Sequence, residues 1–328
     1  MTGDPLLELR DVHKHYGSVR ALDGVSLTVA AGETLGMVGE SGSGKSTVGR
    51  LALGLERPTK GELRFGGRPY PRTPRGLRPV RRRVGIVFQD PYDSLDSRFT
   101  LRRIVDEPLR AHRLPRGDQR VAELLTSVGM ENVALDSYPG EYSGGQRQRI
   151  GIARALALEP ELIVCDEPTS ALDVSVQAQI LNLLLELQRE RGLAYLFISH
   201  DLEVVRRMSD RLAVIYAGKI VESGPTALVT SAPSHPYTRT LMDAVPATTP
   251  SERRADRVDA DAQAEVEAEA TTDTGAPDRS GCPFAPRCPR RGDVCTAEMP
   301  PLAPRGERLV ACHFPLVDKE RAPVAAGG

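Results

Sequence analysis

The sequence predicts an α/β fold built around a parallel sheet. A short apolar run at 34–38 feeds a glycine-rich loop and then a helix-like stretch at 46–55. A second apolar run, 162–166, ends in a carboxylate, as expected at the carboxyl edge of a parallel sheet. Strand-like and helix-like segments alternate to about residue 240. The 328 residues, 40% of them hydrophobic, can form one sizeable domain and a smaller appendage.

The segment before the glycine-rich loop has a different pattern. Residues 5–37 contain short alternating runs, among them Leu6–Leu9 and Val25–Val29. Period-two alternation of apolar and polar residues is typical of half-buried strands. We therefore expect an antiparallel β subdomain ahead of the core sheet.

The loop at 39–46 has the complete pattern G-x-x-x-x-G-K-[ST]. A strand, a glycine-rich loop and a helix start present backbone N–H groups and a helix dipole to anionic oxygens, and glycine permits the close approach. We expect Lys45 to reach the terminal phosphates and Ser46 to hold Mg²⁺. The predicted nucleotide contacts are Gly39, Glu40, Ser41, Gly42, Ser43, Gly44, Lys45, Ser46 and Thr47.

A second anion-binding pattern lies about a hundred residues later. Ser143, Gly144, Gly145 and Gln146 open a helical pattern at 147–158, so they lie where a helix N-terminus can bind a phosphate. One phosphate does not need two such cradles. We therefore expect the second cradle to close over a nucleotide held by another subunit, with ATP between the two halves of a head-to-tail dimer.

Together these runs resemble the ATP-binding cassette (ABC) ATPases. The resemblance implies a P-loop, RecA-like nucleotide-binding domain over 5–245, with the antiparallel β subdomain and a helical subdomain at about 90–155. It implies that Asp166, which ends the second apolar run, holds Mg²⁺ through water. It also implies that Glu167 is the general base that polarises the attacking water.

Four further positions match the same family. Gln89 resembles the glutamine that contacts Mg²⁺ and the attacking water, which makes Ser46, Gln89 and Asp166 the implied magnesium set. His200 resembles the switch histidine that contacts the γ-phosphate. Tyr16 matches the aromatic residue that stacks on adenine. Asp173 lies in a segment that crosses the dimer interface and couples the two sites.

The carboxy-terminal third changes composition twice. Residues 246–280 contain six acidic residues between Asp256 and Glu269 and almost no large apolar groups. We therefore expect a flexible linker there, with a short solvated helix over 262–270 as the alternative. A Pro-rich segment at 281–316 follows and carries four cysteines. They are Cys282, Cys288, Cys295 and Cys312, with five, six and sixteen residues between them.

A small segment with few large apolar residues needs a cross-link or a ligand to fold. Disulfides are disfavoured in the cytosol, which leaves a metal. Four thiolates can bind Zn²⁺ tetrahedrally or hold an iron–sulfur cluster. We therefore expect 281–316 to form a small Cys-rich extension with a structural or regulatory metal site, in a domain separate from the nucleotide site.

Several runs, some in the nucleotide-binding domain and some near the cysteines, resemble the ATPases of oligopeptide and dipeptide importers, in particular the F-type subunit. The matching runs are 88–95, 144–154, 235–238, 281–284, 286–289 and 310–313. The resemblance implies ATP and Mg²⁺ as cofactors. Some family members carry a four-iron four-sulfur cluster in this extension, so the resemblance favours a 4Fe-4S cluster over Zn²⁺.

The resemblance also implies partners. They are a paralogous D-type ATPase in a heterodimer, with a homodimer as the alternative, two transmembrane permeases and, indirectly, an extracytoplasmic peptide-binding protein. The near-neutral net charge of −1 argues against a general nucleic-acid partner. No run of about 18 apolar residues occurs, so we expect the chain at the cytoplasmic face of the membrane, attached through permeases.

The predicted function is ATP hydrolysis that energises peptide import. A nickel or other small-solute importer of the same branch is the main alternative. A soluble ABC ATPase of DNA repair or translation is a further alternative, but such proteins normally have both cassettes in one chain or a long coiled-coil insertion. The sequence does not identify the solute, since selectivity lies in the permeases and the external binding protein.

Overall fold

The computed structural model describes residues 5–244 and 280–316. The predicted acidic linker at 246–280 lies outside these ranges except for Ser280.

The predicted antiparallel β subdomain is present at the amino-terminal end. Its strands are β1 (Leu7–Tyr16), β2 (Val19–Val29), β4 (Lys60–Phe65) and β5 (Arg68–Pro69). They pair antiparallel in the order β2-β1-β4-β5. Leu7, Leu9 and Val12 of β1 are buried, which explains the alternating pattern of the sequence.

A second sheet forms the centre of the molecule. Its strands are β3 (Thr34–Val38), β6 (Val84–Val87), β7 (Leu162–Asp166), β8 (Ala194–Ile198), β9 (Arg211–Tyr216), β10 (Lys219–Pro225), β11 (Ala303–Arg305) and β12 (Arg308–Val310). Their order is β11-β12-β10-β9-β3-β8-β7-β6. The neighbours from β9 to β6 pair parallel, which confirms the predicted parallel core. Strands β3 and β8 are buried at every residue, as parallel strands covered on both faces should be.

Helices connect and cover these strands. They are α1 (Lys45–Ala52), α2 (Pro74–Arg83), α3 (Pro91–Ser94), α4 (Leu101–Ala111), α5 (Asp118–Thr126), α6 (Gly144–Leu156), α7 (Val174–Arg191), α8 (Leu202–Met208), α9 (Thr226–Ser231), α10 (Pro236–Asp243) and α11 (Asp293–Ala297). Helices α3 to α6 lie between β6 and β7 in the chain and pack on one another through buried side chains such as Ile104, Leu124 and Ile150. No helix of the described ranges is both long and apolar enough to cross a membrane.

Sequence-local signals set the ends of the helices that matter most for the site. Ser143 begins α6 with a reciprocal capping box, because Gln146 N donates to its Oγ and Ser143 N donates to the Gln146 Oε1. Asp173 caps α7 by accepting from the Val176 N–H at 2.9 Å, and Gly192 ends it in the left-handed conformation at φ 65°.

The cysteine segment is not detached from this core, in contrast to the separate domain expected from sequence. Strand β12 pairs with β10, so the segment extends the central sheet through β12 and β11. Phe284 is buried and packs at 5.4 Å, between ring centroids, against both Tyr216 and Tyr237. Without β12 this edge of β10 would be unpaired. The pairing and the aromatic contacts together explain why the segment attaches to the core.

A buried carboxylate stabilises the same junction. Glu222 of β10 is fully buried and accepts from Ser234 N at 2.9 Å and His235 N at 2.8 Å. Arg308 of β12 lies 3.4 Å from Glu222 Oε1 and is also buried. The backbone amides and the guanidinium together compensate for the burial of the charge.

We predict that Glu222→Ala lowers the free energy of unfolding by about 3 kcal/mol, because buried N–H groups and a buried guanidinium lose their acceptor. Denaturant unfolding measures this change. Glu307→Ala is the matched control, because it removes an exposed carboxylate from the turn between β11 and β12. It should change stability by less than about 0.5 kcal/mol. Equal effects of the two substitutions would contradict the account of this junction.

Candidate nucleotide-binding site

The carboxyl ends of four parallel strands meet at one open cavity of about 680 Å³. This volume lies within the range of small-molecule and cofactor sites. Strand β3 leads into the loop at 39–44, and Gln89, Glu167 and His200 follow β6, β7 and β8. The predicted residues that line the cavity are Ser41, Gly42, Gly44, Lys45, Ser46, Thr47, Gln89, Glu167 and His200.

Two glycines of the loop permit backbone approaches that a side chain would block. A Cβ at Gly39 would lie 2.1 Å from the Ile215 carbonyl oxygen. Gly44, immediately before α1, has φ 110°, and a Cβ there would lie 2.6 Å from the Ala21 carbonyl oxygen. The glycines of the motif therefore allow the loop to pass against neighbouring backbone at the start of the helix.

Lys45 is held across the loop. Its Nζ donates to the carbonyl oxygens of Gly39 at 2.6 Å and Glu40 at 2.8 Å. Burial lowers the pKa of Lys45, and the carboxylates of Glu167, Asp166 and Glu40 oppose that effect. The side chain is thus a desolvated cation positioned at the floor of the cavity.

Ser46 and Asp166 present oxygen atoms to a common point. Ser46 Oγ donates to Asp166 Oδ1 over 3.4 Å, across the gap between α1 and the end of β7. Burial, followed by the charge of Glu167, raises the pKa of Asp166. A hydroxyl and a carboxylate are oxygen ligands that suit Mg²⁺, and a bound cation would favour the ionised carboxylate.

Glu167 is the most constrained side chain of the site. Its Oε2 accepts from Gln89 Nε2 at 3.1 Å and lies 3.1 Å from His200 Nδ1. Its backbone has φ 49°, a left-handed conformation that is uncommon for a non-glycine residue, and its N–H donates to Ile198 O at 2.8 Å. Strain of this kind occurs at functional sites where the surroundings hold the residue in place.

The second predicted anion-binding segment lies outside this cavity. Ser143, Gly144, Gly145 and Gln146 form the start of α6, but none of them lines this cavity. A Cβ at Gly145 would lie 2.4 Å from Val176 Cγ1, so this glycine is needed for packing against α7. Asp173, which caps α7, is likewise away from the cavity and its side chain is exposed.

Tyr16 ends the first strand of the amino-terminal sheet, and its stacking on adenine stays a prediction. Its hydroxyl contacts Glu56, Lys14 Nζ lies 4.8 Å from its ring centroid, and it does not line the cavity. The adjacent residues Val19, Arg20 and Ala21 line the cavity instead, together with Ala217. The sequence carries no motif for these four positions. Their only signal is the nearness of three of them to Tyr16 in the first hairpin.

The four cysteines of the extension line one small cavity of about 10 Å³. Cys282, Cys288, Cys295 and Cys312 all contribute to its wall, and all are free thiols. Burial raises the pKa of Cys282 and Cys288, and raises that of Cys312 to about 11. Within 5–244 and 280–316, however, no three His, Cys, Asp or Glu side chains are arranged to hold a metal ion.

A site for a single metal ion requires a particular spacing of the sulfur atoms. Tetrahedral Zn²⁺ with Zn–S bonds near 2.3 Å requires sulfurs about 3.8 Å apart. The four cysteines share one small cavity, but the described residues do not form a single-ion site.

Two known families match separate parts of the chain. Residues 22–170 match the family described as ABC transporter. Residues 221–295 match the family described as oligopeptide/dipeptide transporter, C-terminal region.

Similar curated proteins extend over most of the chain. A putative peptide import ATP-binding protein of Brucella abortus is 50% identical over 90% of this chain and 87% of its own length. The oligopeptide transport ATP-binding protein AppF of Bacillus subtilis is 45% identical over 95% of this chain and 98% of its own length.

Two solved structures show the same core. CbiO1 of Clostridium perfringens, part of the ABC transporter complex CbiONQ, matches with a TM-score of 0.64 and 30% identity over 69% of this chain and 91% of CbiO1. A dimeric ATP-binding cassette bound to ADP and phosphate after hydrolysis matches with a TM-score of 0.61 and 32% identity, over 67% and 98% of the two chains.

Proposed function

The chain belongs to the ATP-binding subunits of oligopeptide and dipeptide ABC transporters, and on this premise we propose that it hydrolyses ATP to drive peptide import. The observation that carries the proposal is the meeting of Lys45, Ser46, Gln89, Glu167 and His200 at one cavity. Peptide as the cargo rests on the names of the relatives, because the described residues include no site that would select a solute.

In the proposed mechanism the loop at 39–46 and the start of α1 bind the phosphates through backbone N–H groups. Lys45 exchanges its two carbonyl acceptors for phosphate oxygens, which stabilises the charge that develops on the γ-phosphate. Ser46, Asp166 and Gln89 would hold Mg²⁺, which neutralises phosphate charge when bound.

Glu167 is the proposed general base. Its carboxylate lines the cavity and is held from two sides, by Gln89 and by His200. Orientation by both neighbours favours one position for the attacking water, and proton acceptance by the carboxylate makes that water a better nucleophile. His200, with an exposed ring, is free to turn towards the γ-phosphate when nucleotide is bound.

The proposed ATP-bound assembly is a head-to-tail dimer with a D-type paralogue. Ser143 and its neighbours begin a helix away from this chain's own cavity. The capping box uses the N–H groups of Ser143 and Gln146, so Gly144 and Gly145 are the proposed backbone donors to a second subunit's nucleotide. Val174, beside Asp173, is 84% exposed although apolar, which fits an interface residue. Exposed Phe88 and Tyr92, next to Gln89, are the proposed contacts to a permease on the cytoplasmic side.

We propose that the four cysteines hold a 4Fe-4S cluster, with Zn²⁺ as the alternative. Their common cavity and the absence of disulfides support a shared ligand. Burial raises the pKa of Cys282, Cys288 and Cys312, and a bound cationic group would favour their thiolate form. The ligand would stabilise a segment whose strands β11 and β12 have only three residues each.

We predict that Glu167→Gln lowers the ATP turnover number by at least about 100-fold while ATP still binds, because the substitution removes the base and preserves the shape of the site. Phosphate release and nucleotide titration measure the two quantities. Glu203→Gln, an exposed carboxylate at the start of α8, is the control and should retain turnover. Turnover of Glu167→Gln within a few-fold of the original chain would reject Glu167 as the base.

We predict that Ser143→Arg lowers ATPase activity of the assembled transporter by at least about ten-fold, because its bulk keeps the start of α6 from the partner's nucleotide. Gln119→Arg, on the exposed face of α5, adds the same side chain away from the proposed interface. Unchanged activity of Ser143→Arg would contradict the head-to-tail arrangement.

We predict that anaerobically purified chain is brown, with iron and sulfide that are lost when Cys282, Cys288, Cys295 or Cys312 is changed to serine. Cys165→Ala, in buried strand β7, should keep the iron. Metal analysis and the visible spectrum measure this. A colourless chain with about one zinc would support the alternative, and a chain with neither metal would reject both.

A further inference from the structure

We infer that Arg287 is a positioning residue for ATP, which neutralises Glu40 in the phosphate-binding loop and couples that loop to the cysteine segment. The inference rests on the proposed binding of ATP at 39–46. Arg287 Nη1 lies 2.9 Å from Glu40 Oε1 and 3.1 Å from its Oε2, although the two residues are 247 positions apart.

Glu40 is the point at which the loop is held from several sides. Its carbonyl oxygen accepts from Lys45 Nζ at 2.8 Å, inside the loop. Its backbone N–H donates to the Tyr237 hydroxyl at 3.0 Å, which ties it to α10. Its carboxylate is the group that faces Arg287. A change at any of these contacts therefore acts on the backbone next to Lys45.

Arg287 owes its position to the turn between two cysteines. Ala285 N donates to Cys282 O, Arg287 N donates to Phe284 O, and Cys288 N donates to Ala285 O. Phe284, inside the turn, is 2% exposed and packs against Tyr216 and Tyr237. The guanidinium also lies 3.5 Å from the Tyr216 hydroxyl. The turn thus holds Arg287 against the same aromatic group that contacts Glu40.

The charges indicate whether loss of Arg287 strengthens or weakens ATP binding. ATP brings several negative charges to a loop that already carries the Glu40 carboxylate, whose charge acts on Lys45. With Arg287 in place, that carboxylate is paired. Without Arg287, an unpaired carboxylate next to Lys45 repels the phosphates and weakens ATP binding.

The coupling follows from the position of the turn. Cys282 and Cys288 are proposed ligands of one metal group, and Arg287 lies directly before the second of them. A change at these cysteines therefore acts on the turn that carries the guanidinium. The inference predicts that the state of the cysteine site alters the affinity of the loop for ATP through Arg287.

Titration of the full chain with a fluorescent ATP analogue and Mg²⁺ tests the inference. We expect Arg287→Gln to raise the dissociation constant for the analogue, because Glu40 loses its partner. The increase should be only about five-fold, since the ion pair is partly exposed. Arg287→Lys should retain most of the affinity, and Arg287→Gln combined with Glu40→Gln should bind more tightly than Arg287→Gln alone. Arg291→Gln is the control, an exposed arginine of the same segment whose side chain makes no hydrogen bond or ion pair among the described residues. Thermal melting verifies that each variant is folded.

Each outcome bears on a distinct claim. Failure of the original chain to bind the analogue would reject the proposed function itself. Normal binding by the original chain and equal affinities of Arg287→Gln and Arg291→Gln would overturn only the inference. The coupling predicts that Cys282→Ser weakens binding in the original background and has no further effect in Arg287→Gln. An equal effect of Cys282→Ser in both backgrounds would show that the cysteine segment acts on the loop without Arg287.

Discussion

The parallel pairing of β3, β8, β7 and β6 is the constraint on which the rest of the site depends. Parallel strands end at the same edge, so a loop, the Glu167 carboxylate, a glutamine and a histidine that are far apart in sequence reach one cavity. Gly39 and Gly44 then allow the loop to lie against neighbouring backbone, where Lys45 bonds to the loop's own carbonyl oxygens. The geometry of the site is therefore set by the sheet before any ligand binds.

The carboxy-terminal segment is part of this arrangement. Its strand β12 extends the same sheet beside β10, and the buried carboxylate of Glu222 joins the two strands to the start of α10. Helix α10 in turn brings Tyr237 to the phosphate-binding loop. One continuous set of contacts thus leads from the cysteine turn to the residue beside Lys45. A segment that sequence composition presents as an appendage contacts the site where ATP is proposed to bind.

Local motifs predicted the parts of the molecule that depend on local chemistry. The loop before α1, the capped start of α6 and the acidic end of β7 all lie where the sequence placed them. Contacts between distant segments were not predictable in this way. Arg287 and Glu40 are joined only through the packing of the cysteine turn, and three-residue strands such as β12 give no periodic signal. The contact of the Tyr16 hydroxyl with Glu56 is a further example, because no sequence motif links these two residues.

Peptide uptake by proteoliposomes tests the central claim most directly. The chain would be reconstituted with the two proposed permeases and the proposed D-type ATPase. Accumulation of a labelled peptide would be measured in the presence of the proposed peptide-binding protein. The account predicts accumulation that requires both ATP and Mg²⁺ and stops when either is withheld. ATP hydrolysis by the same vesicles without movement of any di- or oligopeptide tested, and with nickel accumulated instead, would contradict it.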